Sequence, residues 1–312
     1  MTGVRIGTAE PDSTFLSQGF ALKTVLDRVP ALAPVDVSTS AHASVENANR
    51  LQANDIDFGF MASNWIGRAR NGEAPFAQKV DLRMVAPMNA GPLFFIARAD
   101  SDLRTVTDIR GRRLVVGPQQ SGMAQHARVI LGTLGLTFSD FMPMYLDFAA
   151  GAEALARGEA DAQLQCPIPN KVMTALAARV LLRVLPYAPA DLDTVLRAVP
   201  FYRRTVMRKG AIRSLDADVA QAAVVNVLVT HARVPEGIVD EVASAIFTAR
   251  DELPQLNPLF DGVAALFEPL RSDGATALEF GGVVLHSGAL AAYRAAGLLA
   301  SQTGAVRRQA PP

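Results

Sequence analysis

Val4-Arg5-Ile6-Gly7-Thr8-Ala9-Glu10-Pro11-Asp12-Ser13-Thr14-Phe15 reads as a short apolar strand running into a polar turn. Arg113-Leu114-Val115-Val116-Gly117-Pro118-Gln119-Gln120-Ser121-Gly122-Met123 has the same form. Each stretch is followed by a helical pattern, a second strand, another helix and an acidic turn into a third strand. Those closing turns are Leu51-Gln52-Ala53-Asn54-Asp55-Ile56-Asp57 and Leu155-Ala156-Arg157-Gly158-Glu159-Ala160-Asp161. Strands alternating with helices imply parallel pairing and right-handed crossovers. Two such units with facing strand ends make a cleft able to hold a small molecule.

In the first unit, Leu22, Val25, Leu26 and Val29 repeat at helical spacing and Pro30 stops the helix. Val35 to Ser40 alternates as a strand ending in hydroxyls. Ser44 is a natural N-cap, with Glu46 in the first turn, where the helix dipole favours an anion. Ile56, Phe58 and Phe60 form a third strand ending at Ala62-Ser63-Asn64. In the second unit, Ala127, Ile130, Leu131 and Leu134 share a helical face, and Gly135 sits where a left-handed C-cap falls. Pro143 to Leu146 is the next strand, Glu153 to Arg157 a short helix, and Ala162 to Gln165 the third strand.

Between the units, Leu82 to Pro87 and Leu93 to Arg98 read as two strands around Asn89-Ala90-Gly91-Pro92, where the first crossover is expected. A return near Arg203 to Ile212 brings Val224 to Val229 and a helix over Glu236 to Arg250 back to the first lobe. The expected division is therefore 1–90 plus 208–300 for lobe 1 and 91–207 for lobe 2, with a disordered tail over 301–312. The fold class is α/β: two lobes, each a mainly parallel sheet flanked by helices, joined by hinge strands.

The 312 residues suffice for about two domains with a substantial core. Thirty basic and thirty acidic residues balance to zero net charge, which argues against a nucleic-acid partner. The single cysteine, Cys166, excludes an internal disulfide framework and a multi-cysteine metal site. Met1-Thr2-Gly3 runs straight into a strand, so no export signal is visible. This leaves a cytoplasmic protein or the mature region of an exported one. Gly281 to Ala300 is apolar but interrupted by His286, Ser287 and Arg294, and reads as a packed helix.

Open parallel sheets bind ligands at their strand carboxyl ends, beside helix N-termini. Here those ends carry Thr8, Glu10, Ser13, Thr14, Phe15, Ser40, Ser63, Asn64, Gln120, Ser121, Gly122, Met123, Gln165 and Cys166, the candidate ligand-binding residues. Hydroxyls and carboxamides dominate and general bases are nearly absent, so the lining suits capture and release. Ser44 and Ser121 also read as pure N-caps, Gln119 and Gln120 as solvated loop residues, and Glu10 as a rim charge. Asp57 and Asp161 recur at matching points and fix turns. His42 and His126 lie near these turns, but Gln119 stands where Gly-x-Ser-x-Gly requires glycine. No Walker A loop or zinc spacing occurs. No catalytic residue, metal or cofactor is assigned, and Cys166 reads as an inert thiol.

The chain resembles the TAXI branch (TRAP-associated extracytoplasmic immunogenic proteins) of the solute-binding proteins of TRAP transporters. The matching pieces are Ile6-Gly7-Thr8; Ser44-Val45-Glu46-Asn47 with Leu51 and Asp57; Leu82-Arg83; Asp108 to Gly117 with Ser121-Gly122; and Gly158-Glu159-Ala160-Asp161-Ala162. Later pieces are Leu228-Val229-Thr230, Val234-Pro235-Glu236 and Leu285-His286-Ser287-Gly288-Ala289 with Tyr293. The resemblance implies a two-lobed type II periplasmic-binding fold, monomeric and periplasmic. It would close on a small organic anion, a carboxylate or amino acid-like molecule, and deliver it to TRAP membrane subunits. The sequence departs from the branch at Thr8 to Phe15, Ser40 to Ala43 and Gln120 to Met123, where glycines are fewer. That implies a site lined more by side chains. Glu10 is the expected selectivity element for a ligand bearing a cationic or hydroxyl group. The rival readings are a cytoplasmic small-molecule sensor and an enzyme on the same fold.

Overall fold

The computed structural model describes residues 3–11, 13–119, 121–168 and 170–300. The expected disordered tail, 301–312, lies outside them. The chain divides into two compact units. The first runs to Met61 and takes Trp65–Met88 and the described residues from Val227 onward. The second takes Ala62–Asn64 and Asn89–Asn226.

In the first unit, β1 (Arg5–Gly7) leads to α1 (Thr14–Leu26), β2 (Asp36–Ser38), α2 (Ala43–Ala53) and β3 (Phe58–Ala62). β1 lies between β2 and β3, parallel to both. Ile6, Leu22, Phe58 and Phe60 are fully buried. β3 is buried on both faces, while β2, at the edge beside β1, is more open.

α3 (Ser63–Asn71) then precedes β4 (Leu82–Arg98), one continuous strand. The turn expected at Asn89 to Pro92 is not there. Those residues are extended and largely buried, so neither Gly91 nor Pro92 breaks the strand. The unit boundary still falls within it, at 88/89.

The second unit continues with β5 (Arg113–Val115), α4 (Gly122–Thr133), β6 (Met142–Met144), α5 (Phe148–Ala156), β7 (Ala162–Gln165) and α6 (Lys171–Arg179). β8 (Leu182–Leu185), α7 (Pro189–Ala198), β9 (Tyr202–Met207) and β10 (Val219–His231) follow. β5 pairs in parallel with β6 and β7, while β7 and β8 run antiparallel to β4. The two faces of this sheet carry separate cores. One holds Leu93, Phe95, Leu164, Leu185 and Tyr202, the other Phe94, Ile96, Met173, Val184 and Ile212. The return to the first unit comes at 226/227, whereas the sequence placed it at 207/208. The cause is the antiparallel pairing of β9 with the first half of β10, from Met207 opposite Val219 to Tyr202 opposite Val224.

α8 (Glu236–Thr248), α9 (Leu253–Leu256), α10 (Pro269–Asp273) and α11 (Ser287–Ala295) complete the first unit. α11 packs tightly on α8. A Cβ on Gly288 would sit 2.2 Å from the Glu236 carbonyl, so only glycine allows this approach. His286 caps α11, its Nδ1 accepting from the Gly288 N–H at 3.1 Å. The buried Tyr293 hydroxyl donates to the Val85 carbonyl at 2.6 Å. The late His-Ser-Gly-Ala run thus does structural work.

Candidate functional site

The same turn is built twice. Ser13 (φ −75°, ψ 159°) accepts from the Leu16 N–H at 3.2 Å, and Ser121 (φ −74°, ψ 159°) from the Ala124 N–H at 3.2 Å. Ser13 caps the helix after β1 and Ser121 the helix after β5. The acidic closing turns repeat as well. Asp57 accepts from Arg5 N (2.9 Å), Nε (3.1 Å) and Nη2 (2.7 Å). Asp161 accepts from Arg113 N (2.8 Å), Nε (3.1 Å) and Nη2 (2.6 Å). The Arg113 hydrogen bonds hold the Asp161 carboxyl below its ordinary range. Each pair ties the start of one strand to the turn before its neighbour, leaving the opposite, carboxyl ends for the capped helices.

In the first unit, Thr8 is fully buried and its hydroxyl donates to the Ser38 carbonyl at 2.8 Å. Ser40 donates to the Thr8 carbonyl at 2.8 Å. The Asn47 carboxamide, from α2, donates to the carbonyls of Gly7 (3.2 Å), Thr8 (2.7 Å) and Phe60 (3.0 Å). It therefore links the carboxyl ends of β1 and β3. Phe15 is buried against Phe60, with ring centroids 5.3 Å apart. Thr14 is half-buried at the start of α1, and Glu10 is exposed. Ser44 is not the N-cap of α2. The helix begins two residues earlier than that, at Ala43 after His42, whose side chain makes no cap bond. Glu46 reaches back to the loop before the helix, its carboxylate accepting from the Ala41 N–H at 2.8 Å.

In the second unit, Ser63 is buried, donating to the Phe201 carbonyl at 2.8 Å and accepting from the Val225 N–H at 3.2 Å. Asn64 is half-buried beside it in α3. Gln120 lies outside the described residues. Gly122 is exposed, while Met123 packs on the core. Gly117 takes φ +90°, and a Cβ there would lie 2.9 Å from Ser121 Oγ and 2.8 Å from Met123 Cβ, so the turn requires glycine. Gln165 is fully buried, and neither carboxamide atom has a hydrogen-bond partner among the described residues. Cys166 Sγ lies 3.9 Å from the Gly91 carbonyl, and burial pushes its thiol up to about 12.

Sequence reading left three groups out of the candidate set. His126 Nδ1 lies 2.7 Å from Tyr202 Oη, and burial pulls the imidazole down to about 4. Tyr187 is buried on the same core, its hydroxyl without a protein partner among the described residues, and burial raises both tyrosines. Asn226 Nδ2 donates to Asn89 Oδ1 at 3.1 Å. His126 was visible only as a possible base, and its partner sits 76 residues away, beyond any local pattern. At neutral pH this cluster is uncharged: neutral imidazole, phenols and thiol. It can donate and accept hydrogen bonds, but an uncharged imidazole paired to a phenol, with no carboxylate behind it, lacks the usual base-orienting acid. Among the described residues, no group of three or more His, Cys, Asp or Glu side chains is placed to hold a metal ion. No helix among them is long and apolar enough to cross a membrane.

A family model described as NMT1-like matches residues 6–297. The chain belongs to the NMT1-like family. This is a periplasmic solute-binding family. Among solved structures, the chain is similar to a TctC solute-binding protein from Polaromonas. That match has TM-score 0.58 and 14% identity, and covers 95% of this chain and 94% of that one. It is also similar to a putative sulfonate-transporter protein, the periplasmic sulfonate-binding SsuA of Methylobacillus flagellatus. There the TM-score is 0.54 at 14% identity, over 96% of this chain and 88% of that one. The periplasmic aliphatic sulphonate-binding SsuA of Escherichia coli matches with TM-score 0.50 and 17% identity, over 85% and 79%. At such identities the likeness is one of fold. This NMT1-like chain has the α/β fold of a periplasmic binding protein.

Proposed function

We propose that this protein captures a small organic anion, a carboxylate or amino acid-like molecule, at its strand-end turns and delivers it to the membrane subunits of a TRAP-type transporter. On this reading it is a TAXI-type, periplasmic, monomeric solute-binding protein without catalytic chemistry. The observation that carries the reading is the repeated turn. Ser13 and Ser121 adopt the same backbone conformation and cap helices of 13 and 12 residues at matching strand ends. Each hydroxyl accepts from a helix N–H and keeps its own proton to donate. Each helix start adds a favourable field for an anion, about 0.3–1 kcal/mol. Thr8, Glu10, Ser13, Thr14, Phe15, Ser40, Ser63, Asn64, Gln120, Ser121, Gly122, Met123, Gln165 and Cys166 form the wall in this proposal. Membership of a solute-binding family supports capture over turnover.

The test is a thermal-shift screen of carboxylates, amino acids and, because of the sulfonate-binding neighbours, short sulfonates. A ligand at 100 times its dissociation constant adds about 2.7 kcal/mol. A hit weakened by Ser13→Ala and Ser121→Ala supports the reading. A panel with no hit among these anions contradicts it. For Glu10, Glu10→Gln is expected to change the ranking of hydroxylated and amino-bearing ligands, and an unchanged ranking removes its role.

A further inference from the structure

The second unit has a recess beside α6, reached at one edge by Ile168 of the turn between β7 and α6. It holds about 290 Å³ between α6 and the loop joining β9 to β10. Its floor is apolar: Met173 and Ile212 are buried and belong to the core that holds Phe94 and Ile96. Its mouth is formed by exposed residues, among them Thr174, Ala178 and Arg213. Met173, Thr174, Ala177 and Ala178 share one face of α6, the spacing at which helical side chains are neighbours. The recess exists because that face offers alanine at 177 and 178, where a leucine would fill it.

The charge at the mouth decides what fits. Among the described residues, Arg213 is the only ionisable side chain lining the recess. Arg179 at the end of α6 is paired with Glu153, and Arg208 at the start of the loop with Asp218. Arg213 forms no ion pair with a described residue. A guanidinium presents a planar fork of donors that matches a carboxylate or sulfonate. An apolar body over Met173 and Ile212 would be removed from water, while a cationic head would be repelled by Arg213. The volume stands at the lower end of small-molecule pockets.

We infer that this flank recess is a second small-molecule site, taking an amphiphilic organic anion with its apolar body on Met173 and Ile212 and its carboxylate or sulfonate on Arg213. None of its lining residues belongs to the wall proposed for the transported solute, so either can fail without the other.

The test uses hexanoate, with 1-hexanol as its uncharged counterpart, and amide chemical-shift titrations of the full chain. Hexanoate is expected to shift amides of α6 and residues 211–213. Ala178→Trp, at an exposed position, is expected to fill the recess and weaken hexanoate more than tenfold, and Thr174→Trp should do the same. Arg213→Gln should weaken hexanoate by up to about fivefold, the range of an exposed ion pair, and leave 1-hexanol unchanged. A panel hit at the strand-end turns should bind Ala178→Trp as it binds the parent chain, which also reports that the variant is folded. The inference is overturned if hexanoate shifts only the turn around Ser121 and His126. It is also overturned if both tryptophan variants bind hexanoate normally, or if no shift occurs at millimolar hexanoate.

Discussion

Replacing Asn47 by alanine is expected to lower stability by about 2 kcal/mol. The Asn47 Nδ2 donates to three carbonyls, of Gly7, Thr8 and Phe60, in a fully buried setting. The Thr8 carbonyl keeps a donor in Ser40 Oγ, so two carbonyls lose their side-chain partner. A buried polar group left unsatisfied costs about 1–3 kcal/mol, which gives about 2–6 kcal/mol for the two. Against this, Asn47 Oδ1 is itself buried without a partner, and its removal returns about 1–3 kcal/mol. The net is a loss of about 2 kcal/mol. Urea unfolding followed by circular dichroism reads it directly, with a lower midpoint and an unchanged slope. Asn47→Asp supplies the second arm. It replaces the donors by a carboxylate facing carbonyls, so it should cost more than alanine at pH 7 and less as the pH falls and the carboxyl is protonated. The reasoning fails if Asn47→Ala lies within about 0.5 kcal/mol of the parent chain, the usual range for an inconsequential surface change. It also fails if Asn47→Asp is no worse than Asn47→Ala at pH 7.

Further outcomes follow from the second unit. Burial lowers the His126 imidazole to about 4, below its ordinary value, so the unfolded chain binds the proton more readily. Stability from this group is therefore present above about pH 6.5 and lost as the pH falls towards 4, by up to about 1.4 kcal/mol per pH unit. His126→Phe should flatten that part of the stability–pH curve, and an unchanged slope refutes the assignment. Cys166, with its thiol pushed up to about 12, should resist iodoacetamide at pH 8 in the folded chain and react on unfolding in urea. Rapid labelling of the folded chain contradicts the raised thiol.

Much of the fold was legible because its information is local. The Arg5-Ile6-Gly7 and Arg113-Leu114-Val115 strands, the cap at Ser121 and the left-handed Gly135 each follow from residues a few positions apart. The errors share one cause. Asn89 to Pro92 has turn composition, yet tertiary burial in β4 outweighed it. Val35 to Ser40 was read as a full strand, but only Asp36–Ser38 pairs with β1. Ser44 looked like a cap because hydroxyls favour helix starts, but the helix begins at Ala43, so Ser44 lies inside it. Around the candidate site, Asn47 was seen as part of a sequence run, but its three carbonyl partners lie up to 40 residues away. The His126–Tyr202 pair joins α4 to β9 across 76 residues, and no local pattern encodes it.

The central claim, capture without chemistry, is tested most directly by native mass spectrometry of the protein mixed with the anion panel, followed by release and identification of the bound compound. The account expects one small organic anion per chain at the strand-end site, recovered unchanged. It is contradicted if no carboxylate, amino acid or sulfonate is retained, or if the released compound differs from the one supplied.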